Sequence, residues 1–359
     1  MASKKFLPRE RMNRPVSLGL WILIAGLIIT LSPLTAIAKD NTPLGVNITM
    51  ANAPNSSVED LTDALAEAIT LGSHGSFIWH WARQESLQFR LTQQWLIQQV
   101  GLKSFVQLSI QSFGQPQPPG GLPTTFADPG TRAKYLEDVE MFASLQPDYM
   151  NLSTEANFMY FWAKEEWDNY KTLYREAYRL IKEISPATKV GVSYHYSLFV
   201  SQQQFDLPSD LGPYDYIAFT SYPAWLVNEG HYASIDEIPA SWYGAVRTVF
   251  PDTPILFSEI GWSSDGTGSL EDQARFVEAL PRLMSEVQPE LITWIFLHET
   301  DYFQPELLDL LSEQELQIIA DMGIDMALLF IRFNGMGLRE LDGTPKPAWF
   351  SAIGLDFGY

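Results

Sequence analysis

The chain has 359 residues, 46% of them hydrophobic and 18% charged, so it can bury a large core and is not a disordered chain. Acidic residues outnumber basic ones 43 to 23, giving a formal charge of −20 that repels nucleic acid and other polyanions. Cysteine is absent, which excludes a disulfide framework and a thiolate metal site.

At the N-terminus, Lys4, Lys5, Arg9, Arg11 and Arg14 precede the apolar run "VSLGLWILIAGLIITL", and Ala36 and Ala38 offer a small-residue cleavage site. Residues 1–38 are therefore expected to be an export signal cut after Ala38, leaving a secreted or periplasmic protein. An uncleaved anchor is the alternative, because the run is slightly long for a signal and slightly short for a span. Losing the net +4 of that segment takes the formal charge from −20 to −24. No second run of that kind follows, so residues 39–359 need no membrane once the signal is gone.

From residue 45 onward, apolar runs of strand length alternate with amphipathic stretches of helix length, the pattern of parallel β/α architecture. Eight runs are expected to be strands: "GVNITMA" from Gly45, "SFIWHWA" from Ser76, "SFVQLSI" from Ser104, "DYMNLST" from Asp148, "KVGVSYH" from Lys189, "DYIAFTS" from Asp215, "PILFSEI" from Pro254 and "LITWIFL" from Leu291. Ser56 with Glu59 predicts a capping box for the first helix, followed by Leu61, Leu65 and Ile69 on one face. Gly72 and Gly101 are expected to close the first two helices. The tract "FGQPQPPGGLPTTFADPG" after the third strand reads as a long βα loop, with a domain linker as the alternative. A further helical insertion is expected after strand eight, from Gln304 to Asp321.

Eight strands with helices between them predict an α/β fold: one (β/α)8 TIM barrel over residues 39–359. An open nucleotide-binding sheet loses its support because "ITMANAPNSS", without a glycine-rich loop, follows the first strand. In a barrel of this kind the active site lies at the C-terminal ends of the strands. Those ends carry Asn47, Trp79, His80, Trp81, Arg83, Glu155, Asn157, Tyr194, His195, Tyr196, Tyr222, Trp225, Glu259, Trp262, Trp294 and His298.

Two carboxylates stand out in that set, Glu155 at the end of strand four and Glu259 at the end of strand seven. Glycosidic bond cleavage needs one carboxylic acid to protonate the leaving oxygen and a second carboxylate to attack or to activate water. Trp79, Trp81, Trp225, Trp262 and Trp294 supply flat faces on which sugar rings pack, and His195 or His80 can hydrogen-bond their hydroxyls. The five histidines show no metal-ligand spacing and no serine-nucleophile elbow occurs, so neither a metal nor a cofactor is expected. An aldolase or isomerase lacks a Schiff-base Lys or a phosphate loop at the strand ends.

"YDYIAFTSYPAW" followed by "PILFSEIGW" resembles the clan A (β/α)8 glycoside hydrolases, and among them is most similar to the arabinogalactan endo-galactanases and their β-glucanase relatives. The resemblance spans about residues 45 to 350. It implies a retaining mechanism with Glu155 as acid/base and Glu259 as nucleophile. It also implies that Tyr222 hydrogen-bonds the nucleophile, that Trp294 floors the −1 subsite and that Arg83 is the strand-two arginine near the nucleophile. One departure is Thr154, where the clan carries an Asn that holds the sugar 2-hydroxyl. The expectation is thus an exported retaining glycosidase of β-linked carbohydrate, acting as a monomer; the alternative, favoured by Thr154, is a catalytically silent glycan-binding barrel.

Overall fold

The computed structural model describes residues 42–83, 87–301, 313–321 and 325–359, all within one compact unit. The expected signal segment lies outside the described residues, as does the first part of the expected insertion. Among the described residues eight strands form the barrel: β1 (Leu44–Asn47), β2 (His74–His80), β3 (Lys103–Ser109), β4 (Tyr149–Asn151), β5 in two segments (Lys189–Gly191 and Ser193–His195), β6 (Ile217–Ser221), β7 (Ile255–Ile260) and β8 (Leu291–Trp294), with two small two-stranded sheets outside it. All eight expected strands are present.

Each strand pairs in parallel with the next, and β8 pairs with β1. The sheet order begins and ends on the two segments of β5, the first bound to β4 and the second to β6, with Val192 between them. The Val192 carbonyl still accepts from Ala218, so the ladder closes into a barrel. Closure removes both sheet edges.

Among the described residues thirteen α-helices surround or follow the strands. They are α1 (Val58–Leu71), α2 (Leu87–Gln99), α3 (Pro129–Ala143), α4 (Asn157–Trp162), α5 (Lys164–Ile184), α6 (Tyr196–Ser201) and α7 (Leu207–Leu211). The remainder are α8 (Ala224–Asn228), α9 (Ser241–Val249), α10 (Leu270–Met284), α11 (Glu313–Asp321), α12 (Met326–Asn334) and α13 (Pro347–Ile353). The capping box of α1 sits one residue beyond the expected pair: Ser57 and Asp60 close it, while the Ser56 hydroxyl turns back to the Ala51 carbonyl. The proline-rich tract is a βα loop, ended where Asp128 caps α3 and Pro129 opens it. Among the described residues no helix is long and apolar enough to cross a membrane.

The barrel interior is layered. Phe105, Tyr149, Tyr216, Ala218, Leu256 and Leu291 fill its N-terminal end. Above them lies a polar layer in which the Gln107 amide donates to Ser76 Oγ (2.8 Å) and the Ser258 carbonyl (3.0 Å), and Asn151 donates to Ser193 Oγ (3.2 Å). Side chains alternate between the two faces of a strand, so an inward Ser76, Ile78 and His80 on β2 dictates an outward Phe77, Trp79 and Trp81.

Candidate active site

Glu259 reaches the interior through a break in that alternation. On β7, Phe257 points outward against Tyr243 of α9, with ring centroids 5.0 Å apart, and two-residue periodicity would send Glu259 the same way. A bulge intervenes: Phe257 pairs with Phe219, but Glu259, not Ser258, pairs with Thr220. The extra residue re-aims the carboxylate into the mouth. Gly261 then leaves room for Ile295, just past β8, since a Cβ there would stand 2.7 Å from Ile295 Cγ2.

Glu155 stands on the turn after β4 with φ of 50°, a left-handed conformation that costs a non-glycine residue about 1–2 kcal/mol. Its amide donates to Ser193 Oγ at 3.2 Å, and the next amide, Ala156, to the Ser193 carbonyl at 2.8 Å, so β5 holds the turn in place. Such strain persists where surrounding structure over-determines it, commonly at functional sites. The Thr220 hydroxyl donates to Glu155 Oε1 at 2.7 Å, and the Tyr222 hydroxyl donates to Glu259 Oε2. A side chain of β6 and the one just after it thus tie the two carboxylates together, and both glutamates line the same cavity of about 420 Å³.

The two carboxyls of such a pair must differ in ionisation, a nucleophile acting as a carboxylate. Burial, reinforced by the negative charge of Glu155, pushes the Glu259 carboxyl up to about 8, and the Tyr222 hydrogen bond offsets only part of this. Arg83 lines the same cavity just beyond the end of β2. His80, also in the cavity wall, is pushed down to about 3 by burial and by Arg90 and Arg83, so it is a neutral hydrogen-bonding group. Glu299, missed in the sequence, faces the same cavity; burial lifts its carboxyl to about 7 although Lys346 bonds it. Among the described residues no three acidic or histidine side chains are grouped to hold a metal ion.

The expected aromatic platform divides. Trp225 and Trp262 line a lobe of about 690 Å³ together with His195 and Tyr222. His195 caps α6, and its ring lies 5.4 Å from that of Phe158, burial holding it below the usual histidine range. Trp79 and Trp294 are corrected to the helix layer by strand parity, whereas Trp81 packs there and also borders the cleft. Trp79 is fully buried with its ring edge-on to Phe142 of α3 at 5.1 Å. Trp81 donates its indole N–H to Asp138 (3.0 Å) and packs on Phe126 and Tyr135, although one side also reaches a lobe of the cleft. Trp294, expected to floor the −1 subsite, instead donates to the Met336 carbonyl (2.8 Å) beside Phe276 of α10. Ile295, one residue on, occupies the cavity wall in its place. His298 is likewise outside the site, bonded to Glu67 at 3.2 Å.

Helix α12, which lies beyond the expected insertion of Gln304 to Asp321, contributes what the sequence did not reveal. Helix α12 lies across the mouth, capped by Asp325, and its Arg332 donates to Thr267 at 2.9 Å. Phe333 lines all three lobes of the cleft, as Glu155 does, and its ring meets the Tyr222 ring at 5.1 Å. The third lobe, about 380 Å³, is walled by Phe113 and Phe158 on one side and by α12 on the other.

No protein-family model matches the chain, and no curated protein does. Solved structures share the fold. A GH5_18 protein from Streptomyces cattleya in complex with GlcNAc superposes with a TM-score of 0.63 at 15% identity, covering 87% of this chain and 79% of that one. GH5_18 from Bifidobacterium longum subsp. longum gives 0.62 at 12%, covering 88% and 78%, and a variant of that protein is in complex with Manb1-4GlcNAc. Bacteroides uniformis β-glucuronidase gives 0.56 at 12%, covering 86% of this chain but 34% of that one. At such identities the likeness establishes the (β/α)8 fold.

Proposed function

We propose that the protein is a retaining glycoside hydrolase cleaving β-glycosidic bonds, with Glu155 as acid/base and Glu259 as nucleophile. The observation that carries this reading is the meeting of the two glutamates in one cavity, one held by the Thr220 hydroxyl of β6, the other by that of Tyr222 just past it and delivered there by a bulge. Glu155 protonates the glycosidic oxygen while Glu259 attacks the anomeric carbon; the carbon–oxygen bond to the leaving group breaks and a glycosyl ester forms. Glu155, now ionised, takes a proton from water, whose oxygen displaces Glu259 and restores the first state. The test is hydrolysis of a panel of aryl β-glycosides followed by proton NMR. A β-hemiacetal as first product supports retention; an α-hemiacetal would remove Glu259 from the nucleophile role. N-acetylglucosaminides and mannosides head the panel, given the sugars bound by the fold's GH5_18 neighbours.

Thr154 supports the silent-barrel reading, since its backbone is committed to Leu108 and Gln111 and it offers the cleft only a short hydroxyl. Against it stands Asn47 at the end of β1: the residue lines the Glu259 cavity, and its buried side-chain oxygen has no hydrogen-bond partner. A bare acceptor of that kind costs free energy until a donor arrives, such as a sugar hydroxyl. Asn47→Ala is expected to lower kcat/KM about 10- to 100-fold with the fold intact, because a hydroxyl contact of this chemistry strengthens in the transition state. Unchanged kinetics would assign Asn47 to the scaffold.

We further propose export, with the mature chain beginning at Lys39. Intact-mass measurement of secreted material tests it, and recovery of the chain in membranes with its first residues present would make the apolar run an anchor.

A further inference from the structure

Glu155 borders all three lobes of the cleft, whereas Glu259 borders one. In a pair with these roles the nucleophile sits beneath the sugar and the acid beside the leaving group. A lobe that holds Glu155 but not Glu259 therefore stands on the leaving-group side. Two lobes meet this description, and their chemistry differs. The lobe with Trp225 and Trp262 also carries Glu229, Ser263 and Thr267, groups suited to hydroxyls. The smaller lobe is walled by Phe113, Phe158, Met326, Leu329, Phe330 and Phe333.

Its polar groups fall into two sets. His80, Arg83, Ser109, Thr154 and Glu155 are shared with the Glu259 cavity and so mark the border where the scissile bond would lie. Beyond that border, among the described residues, stand Gln111, Ser112 and Gln117. Gln111 is spent at both ends: its amide donates to the Thr154 carbonyl at 2.9 Å and its oxygen accepts from the Gly114 amide at 2.6 Å. Gln117 donates to Glu315 at 3.2 Å. A sugar ring lodged there would leave most of its hydroxyls without partners, each an unsatisfied polar group. An apolar ring would lose nothing and would meet Phe113 and Phe158, whose planes lie 6° apart with centroids at 6.4 Å.

We propose that this chamber, roofed by α12, receives the leaving group, and that the substrate is a β-glycoside with an apolar aglycone of about the size of a bicyclic aromatic. The proposal rests on the hydrolase reading above and deepens it. The occupant is fixed by Glu155, which must reach the oxygen that joins aglycone to sugar, and the chamber opens on that residue.

The chamber can be probed without catalysis. Met326 and Ser112 line this lobe and neither of the other two. Met326→Asp places a charge in it at the first turn of α12, where an acidic residue suits the helix; Ser112→Phe fills it. 2-Naphthol titrated calorimetrically into the wild type is expected to bind, and each variant is expected to weaken binding at least tenfold while melting as a folded protein. In parallel, turnover of the naphthyl β-glycoside is compared with that of the fluoride of the same sugar, which carries no aglycone, using glucosyl, mannosyl and N-acetylglucosaminyl pairs. The ratio of kcat/KM, naphthyl over fluoride, is expected to fall at least tenfold in both variants with fluoride turnover unchanged. Fluoride hydrolysis without naphthol binding, or naphthol binding that both variants retain, overturns the chamber and leaves the hydrolase intact. Naphthol binding that the variants lose, with no sugar turned over, supports the chamber and sinks the hydrolase reading.

Discussion

Glu259→Gln is expected to lower kcat by roughly 10⁴-fold or more on every substrate, the scale seen when a covalent nucleophile is removed. Glu155→Ala is expected to behave differently. It should retain activity on dinitrophenyl glycosides, whose leaving group departs without a proton, and added azide should restore turnover with a β-glycosyl azide product, because a small anion attacks the ester without a base. The ionisation of the pair sharpens this expectation. Glu259 keeps its proton up to about pH 8. Sugar binding needs only to move that proton from Glu259 to Glu155. Above about pH 8 Glu259 no longer carries a proton to pass on, and none reaches the leaving oxygen. Turnover of alkyl glycosides should then fall about tenfold per pH unit, while dinitrophenyl glycosides, which need no acid, should hold a plateau. Full activity in Glu259→Gln, or the same alkaline decline on both substrate types, would dissolve the assignment.

The barrel was legible because its signals are local and repeated. Eight apolar runs bounded by turn residues specify strands wherever they pair, and the positions of Glu155, Glu259, Tyr222 and His195 follow from where those runs end. Facing was not fully read, although part of it was readable. In "SFIWHWA" an inward His80 obliges Trp79 and Trp81 to turn outward, and the alternation in the sequence already contains that choice. Trp294 fails for the same reason. Glu259 is the opposite case, because simple alternation from Phe257 predicts the wrong face and the answer depends on a bulge set by pairing with β6 and β8. No residue type in "PILFSEIGW" announces it. The run "MALLFIRFN" of α12 reads as an ordinary apolar helix; that Phe333 meets Tyr222 is decided by tertiary packing alone.

The buried glutamate that serves catalysis should also cost stability, and the cost should depend on pH in a stated direction. An unfolded Glu titrates near 4.3, whereas folded Glu259 titrates at about 8. The folded state therefore binds a proton that the unfolded state has released across that interval. The associated stability is fully present below about pH 4.3 and is lost as pH rises through 8, a change on the order of a few kcal/mol. Glu259→Gln keeps the shape of the protonated side chain and cannot ionise. Its urea unfolding free energy should match the wild type near pH 5 and exceed it by about 2–4 kcal/mol at pH 9. The difference between the two proteins is the measurement, because Glu299, lifted to about 7 by burial, and His80 bend both curves alike. Glu155→Gln supplies the control. Removing the Glu155 charge takes away the second cause of the shift while leaving burial, so in that background the pH 9 gap should shrink but persist. A gap equal at pH 5 and pH 9 would mean that Glu259 is ionised throughout, and the alkaline decline expected for turnover would fall with it.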